Sequence, residues 1–204
     1  MEYPGYGIYE GAPSAEKILE DSDHVFNFLT KMMGIRPSDM ILFGRSIGSG
    51  PATWLAGKHK VFSLVLMSAY TSIRAVARHL LGRVGQFLVA ERFRNIDHIR
   101  QVKSPVLIIH GLRDTLIPFA QSQELCENCQ VAAALIIPEE MDHNVFEMKQ
   151  DFLVPIKGFL ERNDYNPAPA GSQLGKLNAP DRLFVKPILG NRLDRKNFFS
   201  WLFS

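Results

Sequence analysis

One stretch of the sequence decides the fold: Phe43-Gly44-Arg45-Ser46-Ile47-Gly48-Ser49-Gly50. It follows the apolar run at residues 40–43 and precedes small and apolar residues at helical spacing, so the sequence predicts a strand, a sharp turn and a helix. Such a turn brings two backbone segments together and leaves room only for small residues, which Gly44 and Gly48 provide. It also exposes the hydroxyl group of Ser46, which makes this serine a candidate nucleophile.

The same turn gives the backbone N–H of Ile47 a candidate role as an oxyanion donor. This N–H lies at the N-terminus of the predicted helix, where a developing negative charge would be stabilised. Two other interpretations stay open at this point. The spacing of Gly44, Gly48 and Gly50 also fits a phosphate-binding loop of dinucleotide-dependent dehydrogenases, although the chain lacks the Tyr-x-x-x-Lys pair of such enzymes. The second is a glycine-rich turn without chemistry.

The composition predicts one compact domain with a tail. The chain has 204 residues, of which 46% are hydrophobic, and this is enough for a sizeable core. Its formal net charge is +2 and its basic residues are scattered, so we expect no nucleic-acid partner. No window approaches the roughly 18 apolar residues that span a bilayer, and the N-terminus lacks a signal-peptide pattern. We therefore expect a cytoplasmic location.

The cysteine content gives little support to a metal site. The only two cysteines, Cys126 and Cys129, form a single Cys-x-x-Cys pair. Neither a second pair nor a histidine at zinc-finger spacing accompanies it. We interpret the pair as two reduced thiols on a helix, and we expect neither a metal nor a cofactor.

Predicted strands and helices alternate along the chain. Apolar runs predict buried strands at residues 40–43, 61–67, 105–111 and 132–138. Helical spacing predicts helices at residues 14–34, 71–98, 118–126 and 145–161. This alternation is typical of an α/β fold, a mostly parallel sheet with helices on both faces. The first helix has Ser14 as its N-cap and Gly34 beyond its end.

The predicted helix at residues 71–98 allows two interpretations. Its apolar residues either pack into the core or form a cap over an apolar substrate, and Gly82 and Gly85 loosen the helical pattern. The apolar residues in question are Val76, Leu80, Leu81, Val84, Phe87 and Leu88.

Three loops that follow predicted strands carry a serine, an aspartate and a histidine. Parallel sheets place their sites at the carboxyl ends of the strands, so Ser46, Asp114 and His143 are expected to converge there. The chain order Ser, Asp, His is that of the α/β-hydrolases. In this hypothesis His143 accepts the proton of Ser46, and Asp114 orients the imidazole. Asp142 is a rival orienting group, but neighbouring side chains rarely face each other; His110 is interpreted as structural.

Several motifs together resemble the α/β-hydrolase superfamily, and within it the α/β-hydrolase-domain proteins of type 17. Related type 13 proteins and the broader serine aminopeptidase-like group share much of the pattern. The resemblance covers about residues 2–162. It rests on Tyr3-Pro4-Gly5-Tyr6-Gly7, Gly44-Arg45-Ser46-Ile47-Gly48-Ser49-Gly50-Pro51, Lys103-Ser104-Pro105-Val106-Leu107-Ile108-Ile109-His110-Gly111 with Asp114, and His143-Asn144. It implies Ser46 as nucleophile, Asp114 as acid and His143 as base, in a depalmitoylase that cleaves the cysteine thioesters of palmitoylated, membrane-associated proteins.

The resemblance also implies elements that this sequence lacks. In type 17 proteins the segment like residues 3–7 follows the fourth strand, so the first three strands, the second oxyanion donor and a cysteine-rich anchor are expected to be missing. Loss of one oxyanion donor costs about 2.7 to 4 kcal/mol of transition-state stabilisation. Residues 40–43 would then form an exposed apolar edge. The alternative to an active enzyme is a truncated, inactive α/β-hydrolase fragment that acts as an interaction module.

The last part of the chain lies outside the resemblance. We expect residues 1–162 to form a partial α/β-hydrolase domain and residues 163–204 to form a poorly ordered linker and tail. The tail ends Asn197-Phe198-Phe199-Ser200-Trp201-Leu202-Phe203 after several basic residues. Such an end would suit peripheral contact with a membrane surface, or it would cover the apolar edge.

Overall fold

The computed structural model describes residues 2–6, 9–12 and 14–166. Within this part, the chain divides into two compact units, one up to residue 35 and the other from residue 36 to residue 166. The predicted tail from residue 167 onwards lies outside the described residues. None of the described helices combines the length and apolar character needed to cross a bilayer.

The first unit is built on helix α1, Ala15–Asn27. The hydroxyl oxygen of Ser14 accepts a hydrogen bond from the backbone N–H of Lys17 at 3.2 Å, which confirms Ser14 as the N-cap. The helix continues as a π-helical segment, Phe28–Met32, and Gly34 follows it with φ +70°. This left-handed conformation favours glycine, so the predicted end of the helix is confirmed as well.

The second unit is a parallel four-stranded sheet in the order β1-β2-β3-β4. In the register, Gly44 pairs with Leu66, Leu66 with Ile108, and Ile108 with Leu135. Because all strands run the same way, the loops after their carboxyl ends lie at one edge of the sheet. The strands are β1 Ile41–Arg45, β2 Ser63–Met67, β3 Val106–Ile109 and β4 Ala133–Ile136.

Helices cover both faces of this sheet. Successive residues of a strand point to opposite faces, so the apolar runs of β2 and β3 supply two cores. One core contains residues of α2 and α5 together with Leu64, Leu66, Val106 and Ile108. The other core contains Phe159 of α6 together with Val65, Met67, Leu107 and Ile109. The helices are α2 Ser49–Lys58, α3 Ile73–Gly85, α4 Asn95–His98, α5 Phe119–Glu127 and α6 Val154–Arg162.

The predicted single helix at residues 71–98 is wrong. Helix α3 is broken at Gly82, whose φ is +78°, and a 3₁₀ turn, Gln86–Leu88, follows it. Residues 89–94 are not helical, and the chain becomes helical again only at α4. A glycine in the left-handed region cannot continue a right-handed helix, so Gly82 accounts for the break.

Two other sequence expectations are corrected in detail. The predicted helix at residues 145–161 begins later, with a π-helical segment Met148–Leu153 that leads into α6. The apolar edge at residues 40–43 is less exposed than expected. In the described part of the chain β1 is indeed an outer strand, but of the four side chains only Phe43 is exposed, at 48%, and Met40 is buried, at 8%. The ring of Phe43 packs edge-on against the ring of Phe152, and the two ring centroids are 5.3 Å apart.

Candidate active site

The turn after β1 has the sharp geometry that the sequence predicts. A 3₁₀ turn, Ser46–Gly48, joins β1 to α2, and Ser46 has φ +51°, an uncommon value for a residue with a side chain. A Cβ atom on Gly44 would lie 2.5 Å from the carbonyl oxygen of Gly48 and 2.7 Å from Cβ of Ala52. The close approach of strand and helix therefore requires glycine at position 44. Gly48 has φ −66°, so its conformation alone does not require glycine.

The structure brings Ser46, His143 and Asp114 together in one hydrogen-bonded line. The hydroxyl oxygen of Ser46 lies 3.0 Å from Nε2 of His143, and Nδ1 of His143 lies 2.8 Å from Oδ2 of Asp114. The three residues follow β1, β4 and β3, so their meeting depends on the parallel order of the sheet. With Nδ1–H donating to Asp114, Nε2 is left to accept the serine proton.

Asp114 is held as a carboxylate by a full set of donors. Its Oδ1 accepts hydrogen bonds from the backbone N–H groups of Leu116 at 3.0 Å and Ile117 at 2.8 Å. Burial by itself would raise the pKa of this carboxyl group, but hydrogen bonds from His110, His143 and Ile117 outweigh burial and hold the pKa well below its ordinary value. A negative charge therefore persists next to the imidazole of His143.

Asp142, the rival orienting group, has a different task. Its Oδ1 accepts hydrogen bonds from the backbone N–H groups of Asn144 at 2.7 Å and Val145 at 2.6 Å. Hydrogen bonds from Val145 and Asn144 lower the pKa of the Asp142 carboxyl group. The side chain thus closes the turn that contains His143 and does not orient the imidazole.

A second glycine allows the loops of Asp114 and His143 to meet. A Cβ atom on Gly111 would lie 2.2 Å from the carbonyl oxygen of Met141. The backbone N–H of Arg113 donates to that same carbonyl oxygen at 3.0 Å. The backbones of the two loops are therefore in direct contact a few residues before Asp114 in one loop and His143 in the other.

Ile47, the predicted oxyanion donor, lies in the middle of the 3₁₀ turn that carries Ser46. Backbone N–H groups in the first turn of a helix have no partner within the helix, so this group is placed to bind an oxyanion. On its other side, the peptide of Ile47 is supported by Tyr70, whose hydroxyl donates to the Ile47 carbonyl oxygen at 3.3 Å. Tyr70 is almost wholly buried, at 1% exposure, which fixes this support.

Sequence reasoning missed Arg45, the residue just before the candidate nucleophile. Its Nη2 donates to the carbonyl oxygen of His143 and lies 3.4 Å from Oδ1 of Asn144. Its guanidinium carbon lies 5.7 Å from the ring centroid of Phe146. Arg45 therefore ties the serine turn to the histidine loop. The available signal was a charged residue at the end of an otherwise apolar strand.

An exposed apolar surface lies on α3 and the turn that follows it. In the predicted helix, Val76 is buried as packing requires, but the residues further along face solvent. Helix α3 contacts the loop of Asp114, because Nε2 of His79 lies 3.1 Å from the carbonyl oxygen of Thr115. We call this the α3 apolar surface, and its residues are Leu80, Leu81, Val84, Phe87 and Leu88, 43% to 83% exposed.

The two cysteines lie away from this constellation. Cys126 is in α5 and Cys129 follows the end of that helix, and both are free and partly buried. Burial raises the pKa of Cys126, and burial together with the neighbouring Cys126 raises the pKa of Cys129 to about 12. Neither thiol has the low pKa of a reactive cysteine.

Comparison with known proteins finds similarity to α/β-hydrolase proteins in sequence and in fold. The chain is 34% identical over 165 residues to the alpha/beta hydrolase domain-containing protein 17B of Xenopus laevis, which covers 81% of this chain and 56% of the relative. It is 33% identical over 159 residues to protein 17C of Mus musculus, which covers 78% of this chain and 49% of the relative. The chain thus spans about half the length of these relatives. Comparison with protein-family models finds no match.

A solved structure shares the fold. The alpha/beta hydrolase domain-containing protein 10 from mouse superposes with a TM-score of 0.57 at 16% sequence identity, over 78% of this chain and 76% of that structure. At this identity the similarity concerns the fold alone. The chain thus has the α/β-hydrolase fold, and by sequence it is similar to the type 17 alpha/beta hydrolase domain-containing proteins.

Proposed function

We propose that this chain is a serine hydrolase that cleaves acyl esters or thioesters through an acyl-enzyme on Ser46. One observation carries the proposal: the hydroxyl of Ser46, the imidazole of His143 and the carboxylate of Asp114 form a continuous hydrogen-bonded line, with distances of 3.0 and 2.8 Å. The three side chains are thus within hydrogen-bonding reach of one another, as acyl transfer requires of a nucleophile, a base and an orienting acid.

The first half of the reaction acylates the serine. Oγ of Ser46 attacks the acyl carbonyl carbon while Nε2 of His143 takes the hydroxyl proton. The resulting imidazolium faces the buried carboxylate of Asp114, and the oxyanion faces the backbone N–H of Ile47. When the tetrahedral intermediate collapses, His143 returns the proton to the leaving thiolate or alkoxide. The acyl group then remains on Ser46 as an ester.

The second half repeats these steps with water. A water molecule gives a proton to Nε2 of His143 and attacks the ester carbon, and collapse restores the hydroxyl of Ser46 and releases the free acid. The same three side chains therefore serve both halves. No group beyond the chain and water is required.

We propose fatty-acyl thioesters of lipidated proteins as the substrates. The sequence resemblance to type 17 proteins is one support. The α3 apolar surface is the other, because it gives a long acyl chain an apolar contact on the helix that touches the Asp114 loop. This surface favours the cap interpretation of residues 80–88 over packing. A lipidated substrate would bring the protein to the cytoplasmic face of a membrane; the predicted membrane contact of the tail lies outside the described residues and stays a prediction.

A fluorophosphonate probe tests the nucleophile. We expect the folded chain to be labelled covalently, the label to disappear in Ser46→Ala, and the label to persist in Ser38→Ala, which removes an exposed serine from the turn Pro37–Asp39. Circular dichroism would establish that each variant is folded. Labelling that survives in Ser46→Ala, or a folded wild-type chain without label, would overturn the proposal. The second result would favour the inactive interaction module.

A separate experiment tests the substrate class. Turnover would be measured on a palmitoylated cysteine peptide, a short-chain ester and a peptide with a free N-terminus. We expect the palmitoyl thioester to be preferred, and the preference to fall when Phe87 and Leu88 of the α3 apolar surface become serine. If the peptide with a free N-terminus were cleaved faster than the palmitoyl thioester, the thioesterase assignment would be refuted, and the proposal of a serine hydrolase would still stand.

A further inference from the structure

A second histidine lies behind the aspartate of the site. His110 follows the last residue of β3, and its backbone N–H extends the sheet by donating to the carbonyl oxygen of Ile136 at 3.0 Å. Its side chain is fully buried, at 0% exposure. A buried imidazole must satisfy both of its ring nitrogens, so the partners of His110 define what it does.

Nε2 of His110 faces two acceptors. It lies 2.8 Å from the carbonyl oxygen of Ile117 and 3.2 Å from Oδ2 of Asp114. Neither acceptor can donate, since Asp114 is a carboxylate, so Nε2 carries the proton and shares it between them. The oxygen of Asp114 that accepts from His110 is the same one that accepts from His143.

The other ring nitrogen is held by a serine. Nδ1 of His110 lies 2.6 Å from the hydroxyl oxygen of Ser122, which lies 3.3 Å from the carbonyl oxygen of Ala69. A hydroxyl has one proton, and the shorter contact identifies Nδ1 as its acceptor. Ser122, which is itself fully buried, therefore fixes the tautomer in which Nε2 of His110 points its proton at Asp114.

We propose that His110 is a positioning residue of the site, which holds Oδ2 of Asp114 in line with Nδ1 of His143. This inference rests on the proposed function. With two backbone donors on Oδ1 and two imidazole donors on Oδ2, the carboxylate has no freedom to rotate. Without His110, Oδ2 keeps a single hydrogen-bond partner, the more exposed His143, so the carboxylate is held less firmly on the side that faces the imidazole.

The test compares three variants by the rate of fluorophosphonate labelling across pH. In His110→Leu we expect a loss of about tenfold or more, the size of a lost hydrogen bond to a charged group. We also expect the pH profile of the rate to change, since the carboxylate that faces the imidazole of His143 is no longer held in line with it. His110→Gln restores an amide donor near Nε2 and should recover most of the rate. His98→Gln replaces a histidine of α4 and should leave the rate unchanged.

Proton NMR supplies a readout that needs no turnover. The proton between Nδ1 of His143 and Asp114 gives a downfield signal, which is assigned by its loss in His143→Gln. We expect this signal to move in His110→Leu and to return towards its wild-type position in His110→Gln. Ser122→Ala should give a smaller loss of labelling, about fivefold, because only a neutral hydrogen bond is removed.

The outcomes separate this inference from the proposed function. Wild-type labelling that His110→Leu changes in neither rate nor pH profile would overturn the role of His110 and leave the hydrolase standing. A folded wild-type chain without label would overturn the hydrolase, and the NMR signal would then decide whether His110 acts on the Asp114–His143 pair. If His110→Leu does not fold, a wild-type rate and an unmoved signal in Ser122→Ala would still overturn the inference.

Discussion

Replacement of Gly111 by alanine is expected to separate the loops that carry Asp114 and His143. The new Cβ atom would lie 2.2 Å from the carbonyl oxygen of Met141 and 2.5 Å from its carbon, whereas ordinary contacts begin near 3.4 Å. The atoms that it meets first belong to the backbone, so no side-chain rotation relieves the overlap. The loop of Met141 must therefore retreat by about 1 Å.

This displacement acts directly on the candidate site. Met141 is two residues before His143, so the retreat would lengthen the 3.0 Å contact with Ser46 and the 2.8 Å contact with Asp114. A misplacement of about 1 Å costs roughly 100-fold in rate, or about 2.7 kcal/mol. The backbone of Gly111 is not in the left-handed region, so the effect comes from space and not from conformation.

The assay is the second-order rate of fluorophosphonate labelling, with circular dichroism to measure the folded fraction. Gly158→Ala is a matched control, because its Cβ in α6 would approach only the guanidinium end of Arg162, at 3.3 Å. We expect the control to keep its labelling rate and to gain about 0.5 to 1 kcal/mol of stability from the better helix former. A folded Gly111→Ala chain that is labelled at the rate of the control would refute this reasoning.

Three further changes test the same site. Asp114→Asn should slow labelling by about 10⁴-fold, because an amide would favour the wrong tautomer of His143. Folding lowers the pKa of Asp114, so its carboxylate stabilises the fold above about pH 4, and this contribution is lost as the pH falls further. The free energy of unfolding in urea should therefore depend less on pH in the variant than in the wild type between about pH 5 and pH 2. Arg45→Met should slow labelling about tenfold by freeing the histidine loop, and Arg45→Lys, which keeps one donor, should lie between; equal rates in all three chains would contradict the contact. Gly44→Ala should lower the free energy of unfolding by about 1 to 3 kcal/mol through overlap with Gly48, and an unchanged urea midpoint would contradict it.

The strands and the order of the site residues could be predicted from the sequence. Parallel strands that are buried on both faces appear as continuous apolar runs, and β2 and β3 are of this kind. Once the strands were placed, the rule that parallel sheets gather their loops at one edge predicted that Ser46, Asp114 and His143 would meet. Small residues flanking Ser46 indicated the sharp turn, and Gly44 is indeed required there for lack of space.

The features that escaped prediction depend on what covers a side chain. Helical periodicity identifies residues that share a face, but it does not tell whether another element packs on that face. The sequence therefore leaves open whether the apolar residues of the predicted helix at residues 71–98 pack into the core or form a cap. The structure shows Val76 buried and the residues of the α3 apolar surface exposed. The contact of Arg45 with the carbonyl oxygen of His143 joins residues far apart in the chain, so a charge at the end of an apolar strand indicates the residue but not its partner.

The outer position of β4 predicts how the labelling of Ser46 would be lost on heating. All four residues of β4 are only partly buried, and in the described part of the chain this strand is bonded to β3 alone. A strand held on one side opens at a lower free energy than the central strands. Because His143 lies in the loop that follows β4, local unfolding of this strand would displace the candidate proton acceptor while the central strands stay intact. The rate of fluorophosphonate labelling would then fall at a lower temperature than the ellipticity. The difference between the two midpoints would measure how far β4 unfolds independently of the central strands.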